Sequence, residues 1–373
     1  MIYLDNAATT RPLKSAVEDA ERALRELYFN PSAPYAGGLQ THREIETARQ
    51  EILSLVADQE NFELIFTSCG TEADNQAIFG SVKRGNFVLS EGEHAAVYEC
   101  AKELKNRGVD VRFAPLDRDG SVNVEALLSL VDENTSLVSV IHVNNETGAI
   151  NPIERISEKV KQKNNRTLFM SDGVQAFGKI RVRLTKNIDF YSISAHKIGA
   201  LKGTGALIKR KKVNLAPYLY GGGQESGKRS GTENVFGILT FASAAKKKFS
   251  SLDLDGERIL RLRERLFEKL DKNIFVRLSS EKGTPYVLSV AARGLRGETL
   301  VRMLSDQGVF VGTGSACSSK KQYSRVVEAC GVDKELLNGV LRFSFSPENT
   351  AEEIDEAAEI VNRAARELLG RVK

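Results

Sequence analysis

From Phe62 to Ile208 the chain alternates short β-rich runs with amphipathic helical stretches, and no other feature restricts the fold as strongly. Seven strand candidates stand out, at 62–67, 87–90, 109–113, 136–143, 168–171, 190–194 and 205–208. Helical periodicity fills the gaps near 71–83, 95–106, 122–130 and 153–163. Strands joined through helices run mainly parallel, and a parallel sheet needs both faces covered. The expected class is α/β, with ligands bound beyond the carboxyl ends of the strands. After residue 234 the texture changes. Two long helical stretches, 235–249 and 257–270, are separated by an expected break at 252–256. Strand candidates at 275–278, 286–290 and 341–345 then mix with helices at 298–305 and 351–368, which describes a smaller α+β unit. The leader before Pro12 is expected to pack on that unit.

The 373 residues suit about two domains and a cleft between them. Charged residues interrupt every apolar stretch before the roughly 18 residues that cross a bilayer, so no membrane partner is expected. The first residues, Met1-Ile2-Tyr3-Leu4-Asp5, lack the basic and apolar regions of a secretory signal. A net charge of +4 is too small to suggest direct nucleic-acid binding. The four cysteines and four histidines are scattered without CxxC or HxxxH spacing, which argues against a structural metal site. Such sparse thiols fit a reducing cytoplasm.

Five constellations carry chemistry. In Ser194-Ala195-His196-Lys197 a lysine follows a buried strand, where desolvation frees an amine for Schiff-base formation; a solvent-facing loop lysine reads the same way. Asp172 ends the strand run Leu168-Phe169-Met170, placed either to pair with a cationic ring nitrogen or to cap a turn. Thr67-Ser68-Cys69-Gly70-Thr71-Glu72 closes a strand and opens a helix, as a phosphate cradle or a plain N-cap does. It has neither the Walker lysine pattern nor GxGxxG. Gly221 through Thr232 holds five glycines among Lys, Arg, Ser and Thr, giving either a linker or an anion-contacting loop, with the anion possible on another subunit. In Gly314-Ser315-Ala316-Cys317-Ser318-Ser319-Lys320-Lys321 a thiol sits in a small, polar, basic setting that favours thiolate. Cys100 and Cys330 lie in apolar helical patterns and are expected to be buried. Arg342, within a strand pattern, suits carboxylate capture.

These segments, together with Asp5-Asn6-Ala7-Ala8-Thr9-Thr10, Asn30-Pro31-Ser32, Glu93-His94, His142-Val143-Asn144-Asn145-Glu146-Thr147-Gly148 and Asp172-Gly173-Val174-Gln175, resemble the cysteine desulfurase family. That family lies within the class V aminotransferase-like group of pyridoxal-phosphate enzymes, and the matching pieces keep its order over nearly the whole chain. The resemblance implies fold type I: a large domain over 13–254 with a mainly parallel seven-stranded sheet, and a small α+β domain of 1–12 and 255–373 that carries Cys317. It implies a homodimer, L-cysteine as substrate and pyridoxal 5′-phosphate as cofactor.

Roles follow from the same resemblance. Lys197 bonds the cofactor aldehyde and acts as base, Asp172 pairs with the ring nitrogen, and His94 stacks on the ring and moves protons. Gln175 meets the phenolic oxygen. Gly70, Thr71, Ser194 and His196 hold the phosphate, with Thr232 reaching over from the other subunit. Asn145 and Arg342 orient the substrate carboxylate. Cys317 takes the sulfur as a persulfide, for iron–sulfur scaffold or tRNA-thiolation proteins, and transient cluster ligation through Cys317 is the one metal role implied. A selenocysteine lyase or class V aminotransferase is the alternative. The chain departs from the family at Cys69 and Gly173, at Ala200-Leu201 where Gly-Pro is usual, and in a segment after Cys317 about one residue shorter than in the long-loop branch.

Overall fold

The computed structural model describes residues 1–314 and 323–372. Its strands in chain order are β1 (Ile2–Tyr3), β2 (Phe62–Thr67), β3 (Asn86–Ser90), β4 (Asp110–Ala114), β5 (Thr135–Ser139), β6 (Leu168–Asp172), β7 (Phe190–Ser194), β8 (Gly205–Arg210), β9 (Phe275–Arg277), β10 (Val287–Ala292), β11 (Val309–Phe310) and β12 (Val340–Ser344). The helices are α1 (Lys14–Glu26), α2 (Ala36–Ser54), α3 (Gly70–Ser81), α4 (Ala95–Asn106), α5 (Val124–Leu130), α6 (Ile153–Lys163), α7 (Val235–Ser250), α8 (Leu252–Lys269), α9 (Gly297–Asp306), α10 (Arg325–Ala329), α11 (Lys334–Leu337) and α12 (Ala351–Val372).

Seven strands form one sheet in the order β2-β8-β7-β6-β5-β3-β4. The pairs from β7 to β4 are parallel, and β8 runs antiparallel to both of its neighbours. The expected mainly parallel sheet is therefore present, with helices on both faces. One buried cluster lies between the sheet and α2, α6 and α7, through residues such as Ile52, Phe169, Phe177, Tyr191 and Phe241. On the other face α3 and α4 bury Ile78, Val97 and Cys100 against Phe87 and Leu137. Crossovers of this kind bring the carboxyl ends of β2, β6 and β7 together, and the loops after them carry Gly70, Asp172 and Lys197.

A second core gathers around the antiparallel sheet β12-β10-β9, with Leu266, Leu288, Leu304, Phe343 and Val361 fully buried. Ile2 and Leu4 belong to this core, and β1 pairs in parallel with β11. The leader then leaves it. Thr10 bonds the turn after β7 twice, its N–H and hydroxyl both donating to the His196 carbonyl at 3.0 and 2.8 Å.

Several elements differ from the sequence reading. Helices α1 and α2 are absent from it. The expected strand 136–143 stops at Ser139, because the Ile141 N–H donates to the buried Glu93 carboxylate at 2.7 Å instead of to a neighbouring strand. The expected break at 252–256 is helical, and the interruption is Ser251 alone. Asp253 and Asp255 sit in the first turn of α8, where carboxylates favour the helix N-terminus, and the Ser251 hydroxyl donates to Asp255 at 2.8 Å.

Candidate active site

Nine of the expected residues line one cleft of about 120 Å³: Gly70, Thr71, His94, Asn145, Asp172, Gln175, Ser194, His196 and Lys197. Cys69, Asp74, Ile141 and Val174 complete its wall. Several of these residues sit where a strand ends or a helix begins. Gly70 opens α3, His94 is the N-cap of α4, Asp172 and Ser194 end β6 and β7, and Lys197 closes the short helical turn after β7. A β-carbon at Gly70 would stand 2.7 Å from Val174 Cγ2 and 3.6 Å from Ser194 Cβ, so the first turn of α3 presses directly on the neighbouring loops.

Lys197 Nζ donates to the carbonyls of Ala7 and Ala8, at 2.7 Å each. The leader thus reaches the lysine from 190 residues away. Gly199, at φ +89°, adopts a backbone that side chains disfavour, and this turns the chain back so that Leu13 N–H reaches its carbonyl at 2.7 Å. Asp172 accepts the Val174 N–H at 2.9 Å. Burial raises its pKa, while His94 and Lys197 oppose that rise. The sequence reading passed over two further carboxyl groups, Asp74 and Glu93, which are buried beside it. Burial pushes Asp74 well above the carboxylate range, and Asp172 pushes it further. Glu93 rises to about 8 for the same reasons. Their signal in the sequence was position: Glu93 precedes His94, and Asp74 lies one turn into α3. His94 Nδ1 accepts the Ala96 N–H at 3.2 Å, which leaves the neutral ring's proton on Nε2, and burial lowers its pKa.

Other expected residues stand apart. Arg342 lies outside the cleft wall, donating to Asp5 Oδ1 at 2.8 Å and to the Asn145 carbonyl at 3.0 Å, while its buried Nε has no partner. Thr232 is exposed and does not enter the cleft within one chain. Cys317 lies outside the described residues. Cys100 and Cys330 are buried as expected, and burial pushes each thiol up to about 12.

The departure at Gly173 has a structural reason. A β-carbon there would come within 1.9 Å of the Tyr191 ring, so glycine makes room for the tyrosine of the interior strand β7. The Tyr191 hydroxyl lies 2.9 Å from His142 Nδ1, and burial pushes His142 down to about 4. A histidine in an unfolded chain titrates near 6.5. Its folded pKa is depressed, so its contribution to stability is complete above pH 6.5 and is lost as pH falls through 4. Denaturant unfolding at pH 7.5 and 4.5 should therefore show the wild type losing about 2–3 kcal/mol more than a His142→Asn variant. Equal losses in the two proteins would refute the buried neutral ring.

The residues fit a phosphorylated pyridine cofactor. Ser194 Oγ is buried without a hydrogen-bond partner among the described residues, and it stands beside the open N-terminus of α3 that a phosphate would complete. Three buried carboxyl groups converge at Asp172, and a cationic ring nitrogen would add positive charge against them.

Comparison with known proteins agrees with this geometry. The family model for aminotransferase class-V matches residues 2–357. The cysteine desulfurase IscS of Methanosarcina thermophila is 36% identical over 376 residues, covering 98% of this chain and 92% of that protein. A cysteine desulfurase of Nostoc sp. is 35% identical over 370 residues, covering 97% and 92%. Among solved structures, a NifS-like protein superposes with a TM-score of 0.92 at 35% identity, covering 98% of this chain and all of that one. The structure described as SspA in complex with cysteine gives 0.82 at 28% identity, covering 94% and 100%. The chain belongs to the class-V aminotransferases and, within them, to the cysteine desulfurases.

Proposed function

We propose that the chain removes sulfur from L-cysteine, leaving L-alanine and a persulfide on Cys317. The observation that carries this reading is the meeting of Lys197, Asp172 and His94 with the N-terminus of α3 in one cleft. Membership in the cysteine desulfurases and the cysteine complex of the related SspA support it. Pyridoxal 5′-phosphate is the cofactor that fits, and when bound it supplies an electron sink for bonds at the substrate's α-carbon.

In this reading Gly70, Thr71, Ser194 and His196 hold the phosphate, and Thr232 comes from the second copy in a homodimer. Asp172 keeps its negative charge against the ring nitrogen, and the neighbouring His94 and Lys197 favour that charged form against the effect of burial. His94, fixed as the N-cap of α4, lies against the ring and offers its Nε2 proton. Gln175 donates to the phenolic oxygen. Asn145 and Arg342 orient the substrate carboxylate, Arg342 being steadied by Asp5. Lys197 Nζ takes the α-proton, and the carbonyls of Ala7 and Ala8 stand ready to receive its N–H groups. The Cys317 thiolate accepts the sulfur and passes it to an iron–sulfur scaffold or tRNA-thiolation protein in the cytoplasm. The division into a large domain, 13–254, and a small one, 1–12 with 255–373, places Cys317 on the small domain. Among the described residues no helix is long and apolar enough to cross a membrane.

The test is direct. Purified protein should be yellow and, given cysteine and a thiol reductant, should release alanine and sulfide in equal amounts. A colourless protein that forms neither product would overturn the assignment.

A further inference from the structure

Lys179 is 7% exposed, an unusual state for a lysine. Among the described residues no carboxylate lies within ion-pair distance of it. Its Nζ donates to Gln175 Oε1 at 2.6 Å. The charged groups around it come from separate elements: Lys197 after β7, Lys248 on α7 and Arg342 on β12. Arg11, Glu348 and Tyr286 line the same small cavity, and the Tyr286 ring centre is 5.7 Å from Nζ. Burial and the three neighbouring cations push Lys179 well below the ordinary lysine range.

The bond to Gln175 has a consequence for the cleft. Gln175 stands between Lys179 Nζ, a donor, and the Ala7 carbonyl, which only accepts. Its Nε2 reaches that carbonyl at 2.8 Å. Only one orientation of the amide satisfies both contacts, with Oε1 toward the lysine and Nε2 toward the leader. Nε2 carries two hydrogens and Ala7 takes one. The other remains for the cleft that Gln175 lines. The Ala7 carbonyl also receives Lys197 Nζ, so the two lysines are joined through one amide and one peptide group.

We propose that Lys179 is a positioning residue, whose hydrogen bond locks the Gln175 amide as a donor into the cleft. This rests on the proposed function in one respect: the acceptor facing Gln175 is the phenolic oxygen of the cofactor. Lys179 acts from behind the site and has no need to touch substrate.

The test uses protein loaded with pyridoxal phosphate and follows its visible band against pH. Lys179→Met should raise the midpoint of that titration by about half a unit or more, because a Gln175 amide no longer locked as a donor into the cleft favours the protonated lysine–cofactor link. Gln175→Leu should move the midpoint the same way, and the double variant should move it no further. An unchanged midpoint in a stably folded Lys179→Met, or additive shifts in the double variant, overturns the proposal. Should Lys179→Met not fold, Lys179→Arg decides. A wild-type midpoint there supports the donor role, and one moved as far as in Gln175→Leu overturns it. A wild-type protein that takes up no pyridoxal phosphate refutes the functional reading instead. Crystal structures of the unloaded wild type and Lys179→Met then judge Lys179 by itself: a Gln175 amide turned away from Ala7 supports the role, and an unmoved one ends it.

Discussion

Replacing Lys197 by alanine will leave a folded protein whose turnover of cysteine has fallen by at least about 10³-fold, the combined loss of a covalent anchor and a positioned base. The structure favours survival of the fold. Lys197 lies in a short helical turn whose backbone is held independently, with Ile198 N–H bonded to the Ala195 carbonyl and Gly199 N–H to Thr10 Oγ1. What the variant lacks is the one primary amine that lines the cleft among the described residues. Borohydride reduction of the loaded wild type, followed by peptide mapping, should place the pyridoxyl tag on residue 197, and the variant should carry none. A tag on another lysine, or retained turnover in the variant, would refute the role of this amine.

Cys317→Ser should separate colour from sulfur transfer. The variant should bind pyridoxal phosphate with an unaltered visible band, since Lys197, Asp172, His94 and the N-terminus of α3 are all retained. Its release of sulfide from cysteine should fall at least about tenfold, because a serine hydroxyl stays protonated at neutral pH and is a poor sulfur nucleophile. The flanking chain is tied close to the site on both sides. Gly312 exchanges two backbone bonds with Arg342, at 3.0 and 2.8 Å, and beyond the segment Ser324 Oγ donates to Glu146. Arg325 stacks its guanidinium 3.7 Å over the Tyr98 ring and donates to the Glu93 carbonyl next to His94. Sulfide release at the wild-type rate from the serine variant would show that the sulfur leaves by another route.

Much of the site was legible because its residues travel as short words. Gly70-Thr71, Asp172 to Gln175 and Ser194 to Lys197 each sit where a strand run ends, so locating the strand located the side chain. Strand ends were readable only where composition changed with them. In the apolar run from Val138 to Val143 it did not, and the strand stopped at the residue where Glu93 took over the backbone. The helix break was misplaced for a related reason: Asp253, Asp255 and Gly256 look like turn residues, yet the first two suit a helix N-terminus. Asp74 and Glu93 had no distinct pattern, since a carboxyl group's role here comes from burial beside Asp172.

The primary structure by itself determined the parallel-sheet class and the placing of Lys197, Asp172 and Gly70-Thr71 at strand ends, because hydrophobic period and motif order are properties of contiguous residues. Tertiary structure alone decided that Ala7 would hold both Lys197 and Gln175, that Tyr191 would require a glycine at 173, and that Lys179 would be buried with no carboxylate among the described residues within ion-pair distance. Those outcomes depend on which distant segments exclude water from one another, and the desolvation of a buried amine or carboxyl group exists only once the chain has closed over it.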